Sequence, residues 1–378
     1  MDLELNETQK LVSAAARDFA ARVVAPRAAE LDRTGTFPAD TVRGLADQGL
    51  LGVNVGSRYG GAEAGVVAYA LAMREIARAC ASTAVTMAVT NMVGEVVQAF
   101  GSEAQRELHL PKLTGGAYLT GAFALSEPGA GSDAAALTTT ARRTDDGWVI
   151  DGQKQWITNG GYAGLIVVWA RTGGPGAKGI SCFLVSKDTP GLAIGRPENK
   201  HGLRGSNTVP LTFEECRVRH DALLGEEGAG FRVAMMALDG GRIGISAQAI
   251  GIGTAALEAA VSYAKERQAF GRPIAEFQAI QWMLADSRTE LDAAQLLCMR
   301  AATLKEKGVP FTREASISKL FASEAANRVC NRAVQVHGGY GYIREFPAER
   351  YLRDVRITTI YEGTSEIQRM VVARELLR

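Results

Sequence analysis

The sequence predicts a mostly α-helical chain with a β domain at its centre, and three observations carry that prediction. From the start to about residue 120, and again from Gly230 to the end, apolar residues recur three and four positions apart, the period of an amphipathic helix. Between these stretches, from Gly121 to about residue 218, short runs rich in Val, Ile, Thr and aromatics are punctuated by Gly and Pro, the pattern of strands and turns. A chain of 378 residues with 47% hydrophobic side chains also has enough apolar surface for sizeable buried cores. The expected organisation is a helical domain over 1–120, a β domain over 121–225 and a helical bundle over 226–378.

Taken in order, TQKLVSAAARDFAARVVAP and TVRGLADQGLLGV read as amphipathic helices packed on one another. FALSEPGAGSD, beginning at Phe123, is a Gly/Pro-rich loop, and WVIDGQKQWIT then offers two short β-rich runs about Asp151-Gly152, a hairpin signal. LIVVWART, ISCFLVS and VPLTFEECRV continue the strands. From Gly230 a very long helical pattern runs through FRVAMMALDGGRIGISAQAIGIGTAALEAAVSYAKERQAFG, and three further helical segments follow. Gly240, Gly241, Gly244, Gly251 and Gly253 lie inside that pattern. Each costs about 0.5–1 kcal/mol relative to Ala in a helix interior, so either another backbone or a flat ligand approaches closely, or the helix is interrupted near Gly240.

Composition narrows the function. Lys plus Arg (42) nearly cancel Asp plus Glu (41), which leaves no net field for nucleic acid or an anionic membrane, so anionic ligands must be met locally. The five cysteines have no CxxC pair and the four histidines no metal-ligand spacing with them, the pattern of reduced thiols in a cytoplasmic protein. The opening DLELNETQKLV has neither the basic start and apolar run of a secretory signal nor the composition of a transit peptide. Apolar runs such as LIVVWA are too short to span a bilayer.

No single motif decides the chemistry. In IYEGTSEIQRM, Ser365 with Gln368 fits a capping box, which places Glu362 just ahead of the last helix. By position alone an acid there simply faces the positive end of a helix dipole; the neighbouring Ile357, Ile360, Tyr361 and Ile367 argue instead for burial, and a buried carboxylate is suited to take a proton near neutral pH. SEPGAGSD lacks GxGxxG and GK[ST] spacing, and fits an ordinary interdomain turn as well as a loop that aims N–H groups at a ligand. Trp156 is as a residue type more often core than ligand contact. Arg267 fits a dipole-complementing surface cation or a phosphate clamp, and QVHGGYGY a helix C-cap followed by a loop.

Taken together and in order, FALSEPGAGSD, GQKQWITNG, KHGLRGSNT, ALDGGRIGISAQAIGI, YAKERQAFGRPIAEFQAIQ, QVHGGYGYIRE and IYEGTSEIQRMVVARELL resemble the signature segments of the acyl-CoA dehydrogenase family of flavoproteins, from about residue 5 to the final arginine. The resemblance implies an N-terminal helical domain, a β-barrel-like middle domain and a C-terminal four-helix bundle. It also implies FAD, and α,β-dehydrogenation of an acyl-CoA to the trans-2-enoyl-CoA in fatty acid metabolism. Glu362 matches the base that removes the α-proton while the flavin takes a hydride at N5 from the β carbon, with the Glu362 N–H bound to the thioester oxygen.

By the same resemblance, Phe123, Leu125, Ser126, Gly131 and Ser132, with Trp156, Ile157 and Thr158, match segments around the flavin ring. Arg267, Phe270, Gln278, Gln335, Val336, Gly338 and Gly339 match those at the pyrophosphate and adenine end, in part from a neighbouring subunit, and Thr364 and Glu366 match a further FAD contact. Ser132, Asp239, Arg242, Gly363 and Arg374 match positions that touch CoA or frame the acyl pocket. Glycine at 241, where other branches of the family carry the catalytic glutamate, resembles the short-chain, medium-chain and general bacterial branches. The implied partners are electron-transferring flavoprotein and further copies of the chain in a homotetramer. Rival readings on the same fold are an oxygen-reoxidised oxidase, which the length disfavours, a dehydrogenase of carrier-protein thioesters, and a DNA-associated flavoprotein, which the near-neutral charge disfavours.

Overall fold

A computed structural model describes residues 4–378; residues 1–3, the beginning of the acidic opening stretch, lie outside the described residues. Helix α1 (Glu7–Phe19) starts where the Asn6 side chain accepts from the Gln9 N–H at 2.9 Å while Gln9 Oε1 accepts from the Asn6 N–H, a reciprocal cap that satisfies two otherwise orphaned donors. The chain continues through a π-turn and a 3-10 turn carrying Pro26 into α2 (Ala28–Thr34) and α3 (Ala39–Asp47). The next helices are α4 (Val66–Ala79), α5 (Ala81–Phe100) and α6 (Glu103–Thr114). Most of α5 is apolar all round and correspondingly buried on nearly every face.

Seven strands follow: β1 (Thr120–Ala124), β2 (Thr140–Thr144), β3 (Gly147–Thr158), β4 (Ala163–Arg171), β5 (Ile180–Val185), β6 (Leu192–Ile194) and β7 (Thr208–Arg219). They form one sheet in the order β1-β4-β2-β3-β7-β6, with β5 added on β4. The expected hairpin at Asp151-Gly152 is corrected. WVIDGQKQWIT is one continuous strand, and the turn is at Asp145-Asp146, with Thr144 opposite Gly147. Asp151-Gly152 is a bulge against β7, where the register shifts between Ile150 and Gly152. Gly152 has φ +144°, and a side chain there would strike the Thr139 backbone, so the Asp-Gly pair serves the bulge rather than a turn.

The last block opens with α7 (Gly230–Glu266), a single uninterrupted helix, so the alternative of a break near Gly240 falls. A short hairpin of β8 (Gln268–Ala269) and β9 (Arg272–Pro273) leads to α8 (Gln278–Glu306), α9 (Thr312–His337), α10 (Ala348–Val355) and α11 (Ser365–Leu376). Four helices follow α7 rather than three, because the short α10 is a separate helix set between two 3-10 turns. Although α7 is long and apolar enough to cross a membrane, it is the buried axis of the bundle, packed on α9, α4, α8 and α5. Its glycines permit these contacts: a Cβ on Gly251 would collide with the Arg74 carbonyl, one on Gly253 would lie 2.8 Å from Leu291, and one on Gly244 would lie 2.5 Å from the Tyr69 hydroxyl. The N-terminal helices and the final bundle share one continuous apolar core, whereas the sheet has its own core around Trp148, Phe183 and Phe213. Trp169, fully buried on β4, joins the two by donating its indole N–H to the Gly230 carbonyl at 2.7 Å.

Candidate active site

The helical and β blocks enclose a cleft of about 1780 Å³, and Glu362 faces it. The segment that presents Glu362 is strained. Glu362 has φ +56° and the following Gly363 φ +85°, and a left-handed conformation at a non-glycine residue costs about 1–2 kcal/mol. The turn is held by its carbonyls: Gln368 Nε2 donates to Glu362 O at 3.1 Å and to Gly363 O at 2.9 Å, and Lys319 Nζ donates to Gly363 O at 2.7 Å. The capping box read from the sequence is corrected by one position. Thr364 is the N-cap, accepting from the Ile367 N–H, while Ser365 Oγ donates to Glu324 Oε1 at 2.7 Å and Gln368 turns back to anchor the glutamate.

The carboxyl group has unusual electrostatics. Glu362 Oε2 is sealed from solvent and accepts no hydrogen bond. Burial pushes Glu362 up to about 7, and the charges of Arg242 and Lys319 hold it back from rising further. Arg242, buried on α7, is itself ion-paired to Asp239 at 2.5 Å and donates to Ser316 Oγ at 3.2 Å. The carboxylate end rests on Gly241: a Cβ there would overlap Glu362 Oε2 and lie 3.0 Å from its carboxyl carbon. Tyr361 donates its hydroxyl to Gln248 on α7, which pins the residue before the base.

Across the cleft, a second irregularity in β3 decides which side chains face it. The register against β7 shifts again between Lys154 and Ile157, and Trp156 takes φ +64°. The bulge turns Trp156 outward to 61% exposure on the cleft wall, so its core reading is overturned. Ile157 is the converse correction: its side chain is buried in the sheet core, so only its backbone can serve a ligand. Phe123, Leu125, Ser126, Gly131, Ser132 and Thr158 line the same cleft, as do Asp239, Arg242, Gly363, Thr364 and Arg374. Glu366 is exposed on the first turn of α11 and does not line it.

The loop beneath Ser126 is held by a buried ion pair. Lys154 Nζ donates to Glu127 at 2.8 Å and to the Leu125 carbonyl at 3.2 Å, while Glu127 also accepts from the N–H groups of Thr138 and Thr139. The Lys154 ammonium, ahead of hydrogen bonds from the two threonines, offsets the cost of burial and holds Glu127 down at about 2. Lys154→Met leaves that carboxylate buried and unpaired, and is expected to cost about 3–5 kcal/mol and to loosen the loop. Denaturant unfolding together with ligand retention checks this; an unchanged midpoint would contradict it.

The other predicted positions do not join the main cleft. Arg267, Val336, Gly338 and Gly339 line a separate depression of about 430 Å³ with Tyr263, His337 and Tyr340. Phe270 is 95% exposed at the tip of the β8–β9 hairpin, and Gln278 and Gln335 are exposed without lining either depression. Sequence reasoning missed Lys319 and Gln248, whose partners come from distant segments, read Gln368 only as a capping residue, and missed the basic residues Lys200, Arg300, Arg313 and Arg356 at the cleft. A run of basic residues in adjacent positions would have been a signal; these are scattered over four segments.

Comparison with known proteins matches the chain to three domains in succession: acyl-CoA dehydrogenase, N-terminal domain over residues 6–117, middle domain over 122–216 and C-terminal domain over 228–377. The human mitochondrial short-chain specific acyl-CoA dehydrogenase is 50% identical over 379 residues, covering 100% of this chain and 92% of the relative. The structure of butyryl-CoA dehydrogenase from Megasphaera elsdenii superposes with a TM-score of 0.98 at 42% identity, covering 100% of both chains. A chain from work on the electron transferring flavoprotein of Acidaminococcus fermentans and flavin-based electron bifurcation gives the same TM-score, identity and coverage.

Proposed function

Since the chain belongs to the acyl-CoA dehydrogenase family and is an FAD-dependent oxidoreductase of that kind, we propose that Glu362 is the base of its α,β-dehydrogenation. The observation that carries this reading is the Glu362 carboxyl group, poised near 7 on the wall of the cleft with its Oε2 sealed from water and without a hydrogen-bond partner. A carboxylate in that state gains most by accepting a proton, and an affinity near the working pH suits a general base. Glu362 takes the proton from the carbon α to the thioester, and its backbone N–H donates to the thioester oxygen as negative charge develops there. Asp239, Arg242, Ser132, Gly363 and Arg374 position the CoA thioester. The product is the trans-2-enoyl-CoA, the first oxidative step of fatty acid β-oxidation.

The residues present fit FAD. The bulge sets the flat Trp156 indole on the cleft wall, beside the Thr158 and Ser126 hydroxyls, and at Gly129 and Gly131 a Cβ would meet nothing within 4 Å, which leaves backbone N–H groups open to a ring system. When bound, FAD supplies the acceptor for the electron pair and hydrogen leaving the β carbon. Phe123, Leu125, Ser126, Gly131, Ser132, Trp156, the Ile157 backbone and Thr158 would hold its ring end, and Thr364, with Glu366 outside the cleft, would make a further contact. Arg267, Phe270, Gln278, Gln335, Val336, Gly338 and Gly339 would hold the pyrophosphate and adenine end, in part that of a neighbouring subunit's cofactor. Exposed Phe270, Trp282 and Tyr342 on the C-terminal block support a homotetramer.

A short acyl chain is the proposed substrate. Polar groups stand directly behind the α7 glycines, the Glu95–Lys305 ion pair at Gly240 and the Tyr69 hydroxyl at Gly244, so an extended apolar tail meets no apolar continuation there. Electron-transferring flavoprotein is the proposed acceptor, in keeping with the Acidaminococcus structure, and five free, buried cysteines support a cytoplasmic setting.

The test is anaerobic bleaching of the bound flavin by butyryl-CoA as a function of pH. Protonated Glu362 cannot act as base, so the bleaching rate is expected to be low in acid and to rise through about pH 7. A rate that is flat across pH 5–9 would refute the assignment.

A further inference from the structure

We propose that Lys319, on α9, is a positioning residue for the proton transfer: it locks the turn that aims Glu362 into the cleft, and its charge keeps that carboxylate ionised. The inference rests on the reading of Glu362 as the base. Lys319 is fully buried, yet among the described residues it makes no ion pair; its hydrogen bond goes to the Gly363 carbonyl at 2.7 Å. A buried ammonium is costly to maintain unless its charge interacts with something nearby.

The groups around it show what that is. Three carboxylates lie within electrostatic reach, Glu362, Glu324 and Glu366, and Arg242 opposes them. Glu366 is exposed to solvent, and Glu324 already accepts from Ser365 Oγ, so neither depends on Lys319. Glu362 has an oxygen with no donor at all. Of the two cations that act on Glu362, Arg242 is matched directly by Asp239, whereas Lys319 has no carboxylate partner of its own. The other titratable groups near the base, Tyr69 from α4 and Tyr361 beside it, are driven upward by burial and remain neutral. Arg374, from α11, acts on Arg242. Lys319 therefore supplies the uncancelled positive charge near the base.

The bond to Gly363 adds a geometric role. With Gln368 on both carbonyls, Lys319 fixes the two left-handed residues in the one conformation that directs Glu362 toward Gly241 and the cleft. The sequence separates Lys319 from this turn by more than a helix, so the pairing is visible only in three dimensions.

The test compares two holoenzyme variants. Lys319→Gln keeps an amide donor for the Gly363 carbonyl and removes the charge. Flavin content and assembly are expected to be unchanged, while the inflection of bleaching rate against pH moves up by about one pH unit, giving about tenfold slower reaction on the acid side that recovers in base. Gln368→Leu removes two of the three carbonyl anchors and no charge; it should slow bleaching equally at every pH and leave the inflection where it was. An unmoved inflection in Lys319→Gln overturns the proposal, as does an equal displacement in Gln368→Leu, which would assign the effect to geometry alone. A Lys319→Gln chain that no longer holds flavin also overturns it, because the retained bond is required to preserve the turn. Failure of the premise looks different: bleaching that survives in Glu362→Gln removes the base itself, whereas an inactive Glu362→Gln with an unmoved Lys319→Gln inflection removes only the role of Lys319.

Discussion

Glu362→Gln is expected to purify yellow, with its full content of FAD, and to bleach with butyryl-CoA at least about 10²- to 10⁴-fold more slowly than the unaltered enzyme. The amide is nearly isosteric, so the Gln368 and Lys319 bonds to the turn's carbonyls survive and the strained backbone stays in place. What is lost is a carboxylate whose Oε2 is sealed, unpartnered and held near 7. On stability two effects oppose: a neutral amide is cheaper to bury than a carboxylate, while the buried Lys319 ammonium loses the charge it faces. Stopped-flow absorbance of the flavin, with thermal unfolding alongside, separates the two effects.

Gly241→Ala should produce a comparable split from the opposite side of the contact. A methyl group on Gly241 overlaps Glu362 Oε2 and approaches the rest of the carboxyl group, but it meets only the mobile end of a side chain and no backbone. The helix itself gains, since Ala is preferred to Gly in a helix interior by about 0.5–1 kcal/mol. The carboxylate must swing away, and a displacement of about 1 Å at a reacting group can cost about 10²-fold in rate. The expected result is a protein at least as stable as the parent, with flavin bound and bleaching reduced about 100-fold. An unchanged rate would show that the carboxyl is not held against Gly241 during reaction.

Much of this was legible in the residues, and the exceptions share a cause. The three-block architecture followed from the change of hydrophobic period near Gly121 and Gly230, because periodicity reports which faces are buried. The glycines of α7 left open a close approach or a broken helix; the structure shows approach, by backbone at Gly251 but by the side chains of Glu362, Tyr69 and Leu291 at Gly241, Gly244 and Gly253. Local signals failed where a distant partner outweighs them. Asp151-Gly152 reads as a turn until β7 is laid beside it, at which point it becomes a bulge. Trp156, core by residue type, is turned onto the cleft wall by a second bulge, which leaves the side chain of Ile157 in the sheet core. Ser365 satisfies a capping pattern in sequence but spends its hydroxyl on Glu324, leaving Thr364 as the cap. Lys319 lies in no quoted motif and Gln248 in one without any role attached, and both act through carbonyl or hydroxyl partners on other segments.

Removal of the α-carbon proton of an acyl-CoA by Glu362 has an isotopic signature. Single-turnover bleaching under anaerobic conditions with butyryl-CoA, against the same thioester deuterated only at the α carbon, tests it most directly. With Glu362 as the base, α-deuteration slows bleaching several-fold in the unaltered enzyme near pH 7, where the carboxylate is part ionised. Identical rates for the two thioesters, with bleaching retained in Glu362→Gln, would contradict it.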